Sequence, residues 1–315
     1  MENEESESKV YKLGFSGKGS EFFGIVIINW LLNIVTLHFY SAWANAKTLQ
    51  YLYGSSTLNG DNFTFHGTGK EMFKGYLKLF LIFIVLFATC GSLFYFNEIA
   101  AGIAILYFSL IIVAPIIIHG KYRYQLSRSS WRGIRFGYHG NRKDMIANYF
   151  KWIFFTIISL GIYASWMVMN MTKYIVENIR LGDIEFRFSG KGKDYLLMAL
   201  KGGVLSVITL GVYFIWYWKT LVEYFLKNIS LYRNGKEIRL KSSFTISQIF
   251  QLTIVNYFAI VLSLGIALPW VVTRSMKIIT KNIVLEGDID LDNIQQTEDD
   301  YTEEESNILD INFVM

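Results

Sequence analysis

Hydrophobic residues along the chain fall into long runs separated by short polar stretches. The runs at 79–96 and 99–118 contain no charged side chain, and helices of that length can cross a bilayer core about 30 Å thick. The remaining apolar runs are shorter, and a Leu-Gly or Leu-His pair interrupts most of them near the middle. This pattern predicts an integral membrane protein in which most helices form short pairs.

Two short sequence patterns recur along the chain, and such recurrence is typical of repeat architectures. The first pattern is a string around a glycine, found at 13–23, 63–73, 136–146 and 186–196. The second places a tryptophan six residues after the leucine of the break, at Trp43, Trp166, Trp216 and Trp270. Together they divide residues 11–291 into five predicted helix-hairpin units, at about 13–69, 70–140, 141–190, 191–242 and 243–291.

Short β-hairpins are expected between the helix pairs. Residues 183–188 and 237–240 alternate between polar and apolar side chains, which is the period of a strand. Asn234-Gly235 is a strong signal for a tight hairpin turn. The predicted fold class is an all-α multi-pass membrane protein of about five repeated helix-hairpin units, with short cytoplasmic β-hairpins between them.

Charge is distributed unevenly and predicts the orientation in the membrane. Residues 1–10 carry four acids and one base, residues 286–315 carry eleven acids and no base, and 29 bases and 11 acids remain for 11–285. We therefore expect acidic disordered arms at 1–10 and 292–315 around a basic membrane domain at 11–291. All segments between units are basic, which predicts that they and both termini are cytoplasmic.

Two models of the short units follow from this charge pattern. In the first, each unit enters and leaves the membrane on the same side, as a short tilted or re-entrant helix pair. Each arm then has only about 15 apolar residues, or roughly 22 Å, which is short for a full crossing. In the second, each unit is one continuous span, such as 152–171, with a better length but basic segments on both sides. The charge pattern favours the first model.

The glycine strings, together with Ala42-Trp43 and the segment from Tyr51-Leu52 to Phe65, resemble those of the YjgN-like family of bacterial inner-membrane proteins. The resemblance covers most of residues 11–290. It implies a multi-pass protein of the bacterial inner membrane, and it brings no activity, substrate or catalytic residue. The chain departs from the family pattern after the first tryptophan, where Asn45-Ala46-Lys47 replaces an arginine-rich stretch.

Polar residues inside apolar helices are costly and are therefore candidates for function. Five such residues are expected to line a pore or pocket or, alternatively, to hydrogen-bond neighbouring helices: Asn29, Asn33, His38, Gln251 and Asn256. The break glycines Gly161, Gly211 and Gly265 are expected to let the chain turn.

Other residues point to the membrane surface. Lysines beside the glycine strings are candidate contacts for lipid phosphate, because backbone amides at a helix start attract anions: Lys18, Lys70, Lys191 and Lys193. The alternative is that these strings are simply turns that start helices. Tryptophan suits the boundary between headgroups and acyl chains, so Trp43, Trp166, Trp216 and Trp270 are predicted interfacial anchors or packing residues.

Composition and motifs leave two function classes. Apolar residues make up 52% of the chain and charged residues 18%, and the four histidines lack the spacing of a metal site. We expect no enzyme activity, metal, cofactor or nucleic-acid partner, and anionic membrane lipids as partners. The first hypothesis is a transporter or channel for a small solute or ion, by analogy with repeated broken helices. The alternative is a non-catalytic protein that organises the membrane or binds anionic lipid.

Overall fold

The computed structural model describes residues 9–289 and 291–297. Most of the predicted acidic arms at 1–10 and 292–315 therefore lies outside the described residues. In the described part, strands and helices alternate in pairs from β1 to β10.

Ten short strands form one closed antiparallel barrel. They are β1 (Lys9–Phe15), β2 (Ser56–Leu58), β3 (Asp61–Phe65), β4 (Ser129–Trp131), β5 (Ile134–Tyr138), β6 (Ile179–Leu181), β7 (Ile184–Phe188), β8 (Ile229–Arg233), β9 (Lys236–Ser242) and β10 (Ile283–Gly287). Each strand pairs with its neighbours in sequence, and β1 closes the barrel by pairing with both β2 and β10. In that closing pair Tyr11 lies opposite Leu285.

The prediction of an all-α multi-pass protein is therefore wrong. The sequence alternation correctly indicates strands, but each hairpin also pairs sideways with the next one along the chain. Phe136 lies opposite Leu181, and Phe186 lies opposite Leu231, across hairpins that a helix pair separates. A two-stranded hairpin is marginal alone, and closing the sheet leaves no exposed edge. Local periodicity reports the strands but carries no sign of this lateral pairing.

Tight turns join the strands of each hairpin at one end of the barrel. Asn234 and Gly235 have φ of 48° and 83°, the conformation of the hairpin turn that the sequence predicts there. The equivalent turns lie at 59–60, 132–133 and 182–183. We call this end of the barrel the turn end; the helix pairs connect at the opposite ends of the strands.

Apolar side chains fill the interior of the barrel. Trp131, Ile184 and Ile238 have no exposed surface, and they pack with Leu231 and Leu285 in a single cluster. Each strand turns alternate side chains inward, which is how a small barrel builds a core. The interior is therefore a packed core and not an open passage.

A C-terminal segment (residues 288–289 and 291–297) lies across the turn end of the barrel. Ile289 and Leu291 are buried with the barrel core. The Tyr11 hydroxyl donates a hydrogen bond of 2.8 Å to the carbonyl oxygen of Ile289, and Arg132 forms an ion pair of 2.6 Å with Asp292. The backbone N–H of Asp183 donates to the carbonyl of Gln295. The predicted acidic tail thus begins on residues that contact at least two of the hairpins.

Helices form five pairs between the strands. They are α1 (Gly19–Val35), α2 (Ser41–Ser55), α3 (Gly69–Tyr95), α4 (Ile99–Ser127), α5 (Arg142–Ile158), α6 (Ala164–Glu177), α7 (Gly192–Ile208), α8 (Phe214–Lys227), α9 (Ile246–Phe250), α10 (Asn256–Leu262) and α11 (Leu268–Lys281). A π-helical turn at Gln251–Val255 joins α9 and α10 into one helix. That the five segments are copies of one unit remains an interpretation of the sequence.

Only α3 and α4, of the helices in the described chain, are long and apolar enough to cross a bilayer. They have 27 and 29 residues, whereas α1, α5 and α7 have 17 each. We refer to the four remaining pairs, α1–α2, α5–α6, α7–α8 and α9/α10–α11, as the short pairs. The helix lengths therefore do not support a membrane crossing in every unit.

A partly buried ion pair holds the two long helices together at the barrel. The Glu71 carboxylate accepts hydrogen bonds from the Arg128 guanidinium, at 3.1 and 3.3 Å, and from the Tyr124 hydroxyl at 3.2 Å. Thr68 and Glu71 also form a capping box that starts α3. The sequence indicates the helix start, but the contact with Arg128 appears only in the fold.

Candidate membrane interface

Each short pair turns through the same backbone motif, described here for α5–α6. Leu160 and Gly161 both have positive φ, 49° and 92°. The N–H of Gly161 donates to the carbonyl of Thr156 and the N–H of Leu160 to that of Ile157, which is the Schellman arrangement at a helix end. Positive φ costs a leucine about 1–2 kcal/mol, so this turn is held firmly by its hydrogen bonds.

A hydroxyl side chain completes the turn by accepting a hydrogen bond from the backbone just before the second helix. Ser159 Oγ accepts a hydrogen bond of 2.8 Å from the N–H of Tyr163. Equivalent hydroxyl acceptors lie at Thr36, Thr209 and Ser263, with distances of 3.0, 2.9 and 2.9 Å. The recurring Ser or Thr before each break leucine is a sequence signal for this hydrogen bond that hydrophobic periodicity does not reveal.

The same turn occurs at all four short pairs, and we call these four the tip turns. Their residues with positive φ are Leu37 and His38, Leu160 and Gly161, Leu210 and Gly211, and Leu264 and Gly265. The three break glycines therefore lie in the turns that the sequence assigns to them, with open space around each. His38 takes the glycine position at φ 68° and is exposed.

The leucine of each tip turn is almost fully exposed. Leu160, Leu210 and Leu264 are 94%, 95% and 91% exposed, and Leu37 is 82% exposed. Every backbone N–H from 159 to 164 has an acceptor. A turn with an exposed leucine and satisfied N–H groups suits an apolar surrounding, in which unpaired backbone groups are very costly.

Three of the four predicted anchor tryptophans pack against a glycine at the start of the next helix pair. A Cβ atom on Gly69 would lie 2.4 Å from the Trp43 ring, and the same distance separates such an atom on Gly192 from Trp166. Trp270 covers Gly19 in the same way and thereby joins the last pair to the first. The residues Trp43, Trp216 and Trp270 are 37%, 43% and 44% exposed, so packing and lipid contact are compatible.

The five polar candidates do not form one pocket. Asn29 is buried and donates a hydrogen bond of 3.2 Å to the carbonyl of Ala44 on its partner helix. Asn256 is also buried, and its side-chain N–H donates a hydrogen bond of 2.8 Å to Ser275 Oγ. The Arg274 guanidinium donates to the side-chain oxygen of Asn256. These two residues join the helices within separate pairs. The side-chain oxygens of Asn29 and Asn33 are buried without a hydrogen-bond partner in the described chain.

The other two polar candidates are exposed. Gln251 begins the π-helical turn. His38 lines an apolar cavity of about 450 Å³ together with Leu37, Phe73 and Phe80. This cavity lies between the first tip turn and the start of the long helix α3.

The four candidate lysines are exposed at the starts of α1, α3 and α7. Lys18 forms an ion pair of 3.1 Å with Glu21, and the side chains are 70% and 53% exposed. The backbone N–H of Lys191 donates to the Tyr224 hydroxyl at 2.7 Å. Lys70 and Lys193 lie in the first turns of their helices. Within residues 9–289 and 291–297, no group of three or more His, Cys, Asp or Glu side chains is arranged to hold a metal.

These features define the class of protein: a membrane protein with two potential spans and four apolar tip turns built on a closed barrel. The chain belongs to the family described as "Bacterial protein of unknown function (DUF898)", which it matches at residues 10–188 and 229–307. The predicted resemblance to a YjgN-like family is confirmed.

Relatives support the location of the protein. It is 29% identical over 166 residues to "Inner membrane protein YjgN" of Salmonella typhimurium, and 27% identical over 165 residues to the proteins of that name in Escherichia coli O157:H7 and K12. Each match covers 52% of this chain and 39% of the relative, so it spans about two fifths of the relatives' length. Their names support an inner-membrane location. No solved structure matches the chain.

Proposed function

We propose that this protein is a non-catalytic, membrane-organising protein of the bacterial inner membrane that interacts with anionic lipid. The observation that carries the proposal is the exposed leucine in each of the four tip turns. In this proposal the short pairs dip into one leaflet from the cytoplasmic side, while α3 and α4 cross the bilayer.

Burial of the tip turns in lipid supplies a substantial driving force. A leucine moved from water into an apolar medium gains about 1.5–3 kcal/mol, so four nearly fully exposed leucines gain on the order of 6–12 kcal/mol. Neighbouring apolar residues add to this, since Val35, Ile208 and Leu262 are 79%, 70% and 80% exposed. An apolar surface of this kind at four equivalent positions favours contact with a membrane.

The connections of each pair support entry and exit on the same side of the membrane. Both ends of every short pair join strands of the same barrel. A helix of 17 residues, such as α7, is about 25 Å long, less than the bilayer core of about 30 Å. These lengths support a dip into the membrane and not a crossing. The basic segments between pairs favour a cytoplasmic barrel, with both termini on that side.

The proposal is tested by measuring the surroundings of the tip turns in a bilayer. In a Cys90→Ala background, single cysteines replace Leu160, Leu210 and Leu264 and carry an environment-sensitive NBD label. Lys236→Cys at the turn end is the matched control. We expect blue-shifted emission and quenching by acyl-chain spin labels at the three tip positions, and aqueous emission at the control. Aqueous emission at the tips would refute the proposal.

The depth of the tips is measured separately with the same variants. A membrane-impermeant thiol reagent is applied to intact cells, and we expect no labelling of cysteine at position 210. Labelling from outside would mean that the short pairs cross the membrane completely, and the same-side model would then be wrong.

Transport of a small solute or ion is the second candidate function. The buried side-chain oxygens of Asn29 and Asn33 on α1, which have no hydrogen-bond partner among the described residues, favour it, because such groups are typical of polar pathways. The packed barrel interior argues against a route through the barrel. Proteoliposomes loaded with a potassium gradient provide the test. Flux that exceeds empty vesicles and is lost in Asn33→Ala would favour transport over lipid organisation.

A further inference from the structure

A cleft of about 900 Å³, lined mainly by polar and charged residues, lies where strands β7, β8 and β9 meet the ends of α6 and α8. The register places Arg187, Ser230 and Arg239 side by side on three neighbouring strands. Lys227, the last residue of α8, also lines the cleft. The sequence pattern does not indicate these residues, because their proximity depends on the pairing of strands from two hairpins.

Acidic residues in the cleft have basic partners of their own. Glu177 and Glu223 pair with the lysines four positions before them on their helices, at 3.9 and 2.8 Å. Glu237 pairs with Arg239 at 2.9 Å, and this hydrogen bond lowers the pKa of Glu237. Lys241 pairs with Glu286 across the strands. Each of the three cleft acids therefore has an ion-pair partner other than Arg187 and Lys227, and Arg187 adds only a weaker attraction to Glu237.

Two bases remain available to a ligand. Lys227 is exposed and makes no ion pair with any acid of residues 9–289. Arg187 lies over the Tyr232 ring at 3.7 Å, and its contact with Glu185 is long, at 3.5 Å. The Arg187 side chain is 52% exposed. A stacked guanidinium and an exposed ammonium that line the same cleft form a suitable pair of donors for a phosphate.

The position of the cleft identifies the source of that phosphate. Lys227 ends the apolar pair α7–α8, and Asn228 leads directly into β8. If the short pairs lie in one leaflet, this junction lies at the level of the lipid phosphates. We infer that the cleft binds the phosphate of an anionic phospholipid headgroup, through Arg187 and Lys227. This inference rests on the proposed function.

The test measures binding of phosphatidylglycerol and phosphatidylcholine to the purified full chain in detergent, by native mass spectrometry. The cleft variant carries both Arg187→Gln and Lys227→Gln. The control variant carries both Lys9→Gln and Lys236→Gln, which remove two bases at the turn end of the same barrel. A base near anionic lipid contributes about 1 kcal/mol, so the cleft variant is expected to bind phosphatidylglycerol about 10- to 30-fold more weakly. The control variant and the binding of phosphatidylcholine should change less than threefold.

Other outcomes separate the possible explanations. Arg187→Lys with Lys227→Arg keeps both charges and should restore most of the binding. Equal affinity of the cleft variant and the control would overturn the site, even if the tip labels report an apolar environment. Tip labels in water would instead overturn the proposed function itself. Inorganic phosphate that displaces phosphatidylglycerol at similar concentration would show a site for free phosphate and would overturn the lipid assignment.

Discussion

Two adjacent glycines on α7 provide a sharp test of the packing within a short pair. A Cβ atom on Gly202 would lie 2.1 Å from a carbon of the Tyr217 ring, and 2.4 Å from the carbon where the ring begins. A Cβ atom on Gly203 would meet nothing within 4 Å. Both glycines lie in the same helix, so substitution by alanine removes the same flexibility at both positions.

The difference between the two variants isolates the contact with Tyr217. Gly→Ala in a helix interior stabilises by about 1 kcal/mol, so Gly203→Ala should raise the free energy of unfolding by about 0.5–1 kcal/mol. Gly202→Ala gains the same stabilisation from its helix propensity. Overpacking against Tyr217 then costs about 1–3 kcal/mol, because the whole ring has to move. Gly202→Ala should therefore be about 1–3 kcal/mol less stable than Gly203→Ala.

Reversible unfolding in mixed micelles, with increasing SDS and far-UV circular dichroism as readout, measures this difference. Tyr217→Ala supplies the control, because removal of the ring should bring the two glycine variants to within about 0.5 kcal/mol of each other. If Gly202→Ala is as stable as Gly203→Ala in the native background, α7 and α8 do not pack as described, and the reasoning about the pair is refuted.

Two further predictions concern the ends of the barrel. Glu71→Gln leaves the mostly buried Arg128 guanidinium without its counter-charge and should destabilise the protein by about 1–3 kcal/mol in the same unfolding assay. Glu21→Gln, in an exposed pair, should change the free energy of unfolding by less than about 0.5 kcal/mol. Equal effects of the two variants would contradict the role of the buried pair. Tyr11→Phe removes one hydrogen bond to Ile289, and this loss should lower the free energy that holds the C-terminal segment by about 1 kcal/mol. Limited proteolysis of the segment should then be roughly fivefold faster. Unchanged proteolysis would show that this bond does not hold the segment.

Local features of the chain are predictable from the sequence because they depend on neighbouring residues. The turn at Asn234-Gly235 and the breaks at Leu160 and Leu210 lie where the residue types indicate. Both kinds of turn need residues with positive φ. Glycine and asparagine adopt positive φ readily, and the hydrogen bonds of the Schellman motif hold the leucine in that conformation.

Contacts between distant segments explain most of what the sequence could not reveal. The barrel depends on lateral pairing, such as Phe63 opposite Trp131, and helices of variable length separate those strands. Trp43 is predicted as a membrane anchor, yet the glycine it covers lies in the next pair. Ile289 and Leu291 stand among aspartates, a composition typical of a solvated arm, but their side chains fill the end of the barrel core.

Closure of the barrel by β1 and β10 has a consequence for synthesis of the chain. The strand β1 pairs with β10 along Lys9–Lys12, and this partner is the last strand of the described chain to be made. At about 5–20 residues per second, the roughly 270 residues between them take on the order of 15–50 seconds to translate. During that time one edge of the sheet has unpaired backbone groups, which can pair wrongly with other nascent chains. The edge of β1 therefore stays open to wrong pairing until β10 has been synthesised.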